Sequence, residues 1–330
     1  MKRILCLFLT LLILSSTLLS ACQSESLSDS YLDNDEALKA TEGSEKGTAE
    51  GEPSQTAPEV TAKPEQKDPS ADHYLNVLVI GNSFSTGWPD ELNGLLSAAG
   101  VKANVFTVYY SGCPLSSHWH WLKTGQKHYR LRHHKQGGGV DDDEPVNLEY
   151  CLKQKNWDVI SLQQHFGPSN ALSYDNMMKS CTPFAKNLFD YLKENFPKSK
   201  LVWHETWAYE IGWSRDGVTV PDKEFQDQYQ ANIRAASHTI ATENGVPIVP
   251  CGDAWAIARA IPNIGDMTRD KYHDGPEGGG QYLNACVWFE CLTGQSCIGN
   301  TWRPKYALAE EKIPKLQEAA HRAVEENPIQ

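Results

Sequence analysis

A serine hydroxyl is a poor nucleophile at neutral pH unless an imidazole stands within hydrogen-bonding reach and a carboxylate holds that imidazole in place. Two stretches of the sequence carry that set. Gly81-Asn82-Ser83-Phe84-Ser85 follows the apolar run Leu75-Asn76-Val77-Leu78-Val79-Ile80. Ser83 therefore tops a strand on a glycine turn, where its hydroxyl projects and its own N–H can face an oxyanion. A serine at such a turn can instead cap a helix, a role that suits Ser85 better. Far down the chain, Asp270 precedes His273 by three positions, a spacing that lets the carboxylate orient the ring on one turn; Asp274 is its rival. By itself Asp-x-x-His is also an ordinary surface turn.

Those residues need a scaffold. Further strand-length apolar runs cover Asn104 to Tyr109, Asp158 to Leu162, Lys200 to His204 and Val246 to Val249. Between them, Pro89 to Ala99, Tyr174 to Asn195 and Lys223 to Asn244 show apolar residues at helical spacing, and Gly100 and Gly245 stand where helices stop. A closing helix pair is expected at about Gly278 to Thr293 and Ala307 to Glu325. Strands that are nearly all apolar and alternate with helices predict an α/β fold: a doubly wound, mainly parallel, five-stranded sheet in a three-layer α/β/α sandwich. In such folds the active crevice lies beyond the carboxyl ends of the strands. Polar residues gather there: Asn82-Ser83, Ser111-Gly112-Cys113, Gln163-Gln164-His165 and Glu205-Thr206-Trp207.

Taken together, GNSFS after the first strand, Gly112 after the second and Asp270-x-x-His273 near the end resemble the SGNH (GDSL) hydrolase superfamily. More narrowly they resemble an uncharacterised GNSFS-type branch of it, over roughly residues 75 to 294. The resemblance implies a flavodoxin-like fold and a Ser83–His273–Asp270 triad without cofactor. It implies oxyanion donors from the N–H groups of Ser83 and Gly112. The superfamily's third block normally adds an asparagine amide from Gly-x-Asn-Asp; this chain has Gln163-Gln164, so Gln164 is the expected donor, then Gln163, with Asn170 behind them. Asn82 replaces the usual first-block aspartate.

The N-terminus reads Met1-Lys2-Arg3, an apolar run, then Leu19-Ser20-Ala21-Cys22. This resembles a bacterial lipoprotein signal over residues 1–22, its lipobox ending at Cys22, which is diacylated, becomes the mature N-terminus and holds the protein on the outer side of the cell membrane. Residues 23–72 hold thirteen acidic residues against four lysines and few aromatics, the composition of a disordered tether. Most of the chain's net charge of −12 lies there. The catalytic domain, expected over 73–330, is only mildly acidic, which gives no electrostatic case for nucleic acid. It is expected to be monomeric. Seven of the nine cysteines fall in it; Cys291 and Cys297 could close a short loop, and burial as small hydrophobes is the alternative.

Residues 118–134 hold five histidines among aromatics. His118 and His120 on one strand face would suit a metal, but no carboxylate or cysteine follows at ligand spacing, and no metal is expected. The preferred reading makes His118, with Asn82 and Trp207, contacts to substrate. Gly137–Gly139 and Asp141–Asp143 read as a flexible acidic loop. The expectation is an esterase removing acyl groups, acetyl above all, from carbohydrate. The alternatives are a retired hydrolase fold serving as a glycan-binding or scaffold lipoprotein, and a lipase or thioesterase.

Overall fold

A computed structural model describes residues 73–135, 140–142, 144–304 and 308–328. The signal segment, Cys22, the acidic tether and Gly137–Gly139 lie outside the described residues.

Strand β1 (Leu75–Gly81) carries Val77, Leu78, Val79 and Ile80, all essentially inaccessible to solvent. Apolar side chains on both faces require a layer on each side. Helix α1 (Trp88–Ala98) leads to β2 (Ala103–Tyr109), α2 (Leu115–Thr124), β3 (Arg130–His134) and β4 (Val140–Asp142). Then come α3 (Leu148–Leu152), β5 (Val159–Gln163), α4 (Tyr174–Cys181), α5 (Phe184–Asn195) and β6 (Lys200–His204). A small hairpin, β7 (Ser214–Arg215) and β8 (Val218–Thr219), precedes α6 (Lys223–Asn244), β9 (Ile248–Val249) and α7 (Cys251–Arg259). Helices α8 (Gly280–Thr293) and α9 (Ile313–Glu326) complete the chain.

The sheet order is β4-β3-β2-β1-β5-β6-β9. Its five parallel strands, β2-β1-β5-β6-β9, are the expected doubly wound sheet, and the strand order reverses between β1 and β5. The sequence reading stopped at these five. Two antiparallel strands, β3 and β4, extend the sheet beyond β2. Their composition hid them, because β3 is made of arginine and histidine around one leucine rather than of an apolar run. His134 is buried with one ring nitrogen 3.0 Å from Thr107 Oγ1 and the other 2.9 Å from Asp90, and His133 stacks on Phe106 at 4.1 Å.

Helix α6 shows how local chemistry sets element ends. Asp222 accepts a hydrogen bond from the Phe225 N–H at 2.9 Å, and Gly245 closes the helix at φ +60°. The expected single helix over Tyr174–Asn195 is two. Pro183 cannot continue the ladder, and Thr182 before it is extended. Helices α1, α7, α8 and α9 pack with one another, as do α2 to α6.

Trp88, fully buried at the start of α1, stacks on Trp288 of α8 at 4.7 Å and on His204 of β6 at 5.6 Å. Its indole N–H donates to the Phe84 carbonyl at 3.2 Å, so this stack also supports the turn that carries Ser83. Trp88→Ala should lower stability by about 3–5 kcal/mol. Urea unfolding checks this; a loss below 1 kcal/mol would show that the stack collapses without cost.

Candidate active site

One amide ties the carboxyl ends of β1, β2 and β5 together. Asn82 has no solvent exposure. Its Oδ1 accepts from the Phe84 N–H at 3.1 Å and from Gln163 Nε2 at 2.8 Å. Its Nδ2 donates to the Cys113 carbonyl at 3.1 Å and meets His165 Nδ1 at 3.0 Å. A backbone N–H only donates and a carbonyl only accepts, so the amide has one possible orientation, with both donors and both acceptor sites used. Asn82 is therefore the organiser of the rim, without spare capacity for substrate.

Ser83 opens a 3-10 turn, Ser83–Ser85, capped by Asn82, and is half-buried. The adjacent ring of Phe84 is fully buried and touches His273 at 5.6 Å, Tyr272 at 6.4 Å, Trp207 at 4.9 Å and His165 at 5.4 Å. Folding thus returns the late Asp-x-x-His loop to the residue beside Ser83.

In that loop Asp270 Oδ1 accepts from the backbone N–H groups of His273 at 2.8 Å and Tyr272 at 3.3 Å, while Oδ2 lies 2.7 Å from His273 Nδ1. Burial raises the Asp270 pKa, but the bonds from His273 outweigh it and hold the carboxyl below its ordinary range. An ionised carboxylate only accepts, so the Nδ1 proton of the neutral ring points at Asp270 and Nε2 keeps its lone pair. That Nε2 is buried with no partner among the described residues. Asp274, the rival carboxylate, turns inward instead. It faces the Asn284 amide at 3.4 Å, and burial pushes its pKa up to about 7. Ser83 Oγ and His273 Nε2 are not hydrogen-bonded to each other; unliganded sites often hold such pairs apart.

Gly112 stands exposed at φ +62°, a conformation that a side chain would strain, on a turn whose next carbonyl is held by Asn82. Gln164 is committed on both sides: Oε1 accepts from the Leu115 N–H at 2.9 Å, and Nε2 donates to the His165 carbonyl at 2.8 Å. Gln163 is fully buried with Nε2 on Asn82, packed where a Gly81 side chain would stand. Each keeps one further amide hydrogen. Asn170 lies in the short turn Pro168–Asn170 and makes no bond to the Asn82 network.

The two other expected substrate contacts are also corrected. His118 lies inside α2 with no exposure, bonded to the Tyr129 hydroxyl at 2.9 Å, and burial lowers its pKa to about 3. Trp207 is also buried, stacked on Trp255 at 4.7 Å, with its N–H on the Tyr272 carbonyl at 2.8 Å. Trp207 also packs on Phe84 at 4.9 Å, beside the turn of Ser83. Because residues 115–124 form a helix rather than a strand, His118 and His120 diverge, one buried and one exposed. Among the described residues, no cluster of three or more metal-ligating side chains occurs. No disulfide joins the seven described cysteines, and the Cys297 thiol lies against Cys286 rather than Cys291. Sequence reasoning undervalued His165; its signal was a ring-bearing residue just past the strand at the switch in strand order.

Residues 76–323 match the family model described as a domain of unknown function (DUF4886). A crystal structure of a DUF4886 family protein from Bacteroides uniformis is 29% identical, with a TM-score of 0.68 over 78% of this chain and 98% of that one. A protein from Slackia heliotrinireducens described as a candidate SGNH hydrolase is 19% identical, over 66% of this chain and 98% of that one, with a TM-score of 0.44. An acetylxylan esterase from Geobacillus stearothermophilus is 15% identical, over 66% and 94%, with a TM-score of 0.42. These last two are similar in fold alone. No curated protein sequence matches the chain.

Asp274 sets a pH signature independent of activity. With its folded pKa above the unfolded one, the native state binds the extra proton, so this group's stabilisation is present below pH 4 and is lost as pH rises through about 7. Asp274→Asn should therefore gain stability over the wild type between pH 5 and pH 8, by on the order of 2–4 kcal/mol. Urea titrations at the two pH values test it; a pH-independent difference would mean that Asp274 is ionised throughout.

Proposed function

The chain belongs to the DUF4886 family, and we propose that its domain is a serine esterase worked by Ser83, His273 and Asp270. The observation that carries this reading is the His273 ring: fixed at Nδ1 by Asp270, it leaves a buried, unpartnered Nε2 beside the turn of Ser83. A basic nitrogen in that state is suited to take the serine proton. As it does so, the Ser83 Oγ–carbon bond forms and the carbonyl π pair moves to oxygen, facing the N–H groups of Ser83 and Gly112. The tetrahedral species collapses as His273 returns the proton to the leaving alkoxide. Water then repeats the sequence on the acyl-enzyme, releasing acid and free serine.

The substrate we propose is an acetylated carbohydrate. Tyr110, 40% exposed and two residues before Gly112, meets the half-buried Trp121 edge-on at 4.9 Å, and His128 lies 4.3 Å from Trp121. A partly exposed aromatic cluster next to an oxyanion donor suits the apolar face of a sugar ring. We further propose export and lipid anchoring at Cys22, on the N-terminal signal. The open Ser83–His273 geometry favours one competitor, a retired fold that binds glycans without hydrolysis.

Two measurements decide. Ser83→Ala should keep its unfolding midpoint yet lose p-nitrophenyl acetate hydrolysis by at least about 10⁴-fold and all fluorophosphonate labelling. Unlabelled wild-type protein would leave the binding reading instead. Trp121→Ala should raise KM about tenfold on acetylated xylo-oligosaccharides but leave p-nitrophenyl acetate turnover unchanged; equal effects on both would remove the carbohydrate assignment.

A further inference from the structure

The superfamily's asparagine donor is missing, and both glutamines at that strand end already spend an amide hydrogen elsewhere. His165 stands one residue beyond them, past β5, at the point where the strand order reverses. Its ring is half-buried and stacks on Phe84, the ring that also touches His273. Its tautomer follows from bonding rules alone. Asn82 Nδ2 only donates, and its orientation is fixed by the Phe84 N–H and the Cys113 carbonyl. His165 Nδ1 must therefore accept, and the single proton of the neutral ring resides on Nε2. Nε2, on the far side of the ring from Asn82, makes no hydrogen bond among the described residues. A second proton on Nδ1 would face the amide N–H head-on. In agreement, burial and then the charge on His273 lower the His165 pKa to about 4.

We propose that His165 is a catalytic residue of the esterase proposed above: a neutral imidazole whose Nε2–H donates to the oxyanion where the superfamily uses an asparagine amide. The proposal rests on that esterase reading. It explains the exchange at position 82. An aspartate there, the usual residue of the first block, would accept only and draw the ring proton to Nδ1. Asparagine keeps it on Nε2, where the oxyanion forms.

The test uses the full domain, wild type and two variants, on p-nitrophenyl acetate. His165→Ala should lower kcat about 10²-fold with KM within threefold and fluorophosphonate labelling slowed in proportion. His165→Asn, which restores an N–H donor, should recover at least tenfold of that loss. Nitrogen-15 NMR of the wild-type imidazoles should show the proton of His165 on Nε2 from pH 6 to 8, a readout that does not depend on either variant folding. A wild type inert to substrate and probe would overturn the esterase reading together with this one. An active wild type whose His165→Ala variant keeps kcat within threefold would overturn the role of His165 alone. So would a proton found on Nδ1.

Discussion

The saturated amide of Asn82 is the constraint on which the rim depends. Three chain segments, distant in sequence, are held by four bonds to one side chain that touches no solvent. An unsatisfied buried amide group costs roughly 1–3 kcal/mol, so each segment must arrive for the others to be stable. The same amide caps the turn carrying Ser83, anchors the carbonyl that follows Gly112, and sets which nitrogen of His165 carries its proton. Position, backbone geometry and protonation thus have a common origin.

Burial sorts the histidines around this point. His118, His165 and His204 are each pushed well below the ordinary imidazole range by loss of solvent, so they are neutral at physiological pH. Trp288 donates to His204, and Tyr129 bonds His118, which leaves those rings as packing pieces with a polar edge. His273 differs because a carboxylate stands on its Nδ1 side. A ring so placed can gain a proton at Nε2 while its positive charge is met by Asp270, which is the requirement of a base that must later act as an acid.

The extra hairpin beyond β2 forms one edge of the sheet. Strand β3 packs on β2 partly through arginine and histidine side chains, with Arg132 over the Tyr109 ring at 4.2 Å and His133 on Phe106, and β4 pairs in turn with β3. Helix α2 sits beside it and brings Trp121 toward Tyr110. The rim next to Gly112 is therefore aromatic and partly exposed, whereas toward α7 the tryptophans Trp207 and Trp255 are buried.

Much of this was legible in residue order. The five parallel strands, α6 to its end residues, the strand-top position of Ser83 and the pairing of Asp270 with His273 follow from apolar periodicity, glycine punctuation and a three-residue spacing, all properties of neighbours along the chain. The antiparallel strands β3 and β4 were not legible, since β3 is placed by its contacts with β2 rather than by an apolar pattern of its own. His118 and Trp207 read as substrate contacts because type and neighbourhood cannot report burial, which depends on helices and loops far away in sequence. Asp270 and Asp274 both flank His273, and only folding turned one toward the ring and the other toward Asn284. The tautomer of His165 belongs wholly to tertiary structure: it is set by an amide 83 positions earlier, oriented in turn by two backbone groups that meet only when the sheet closes.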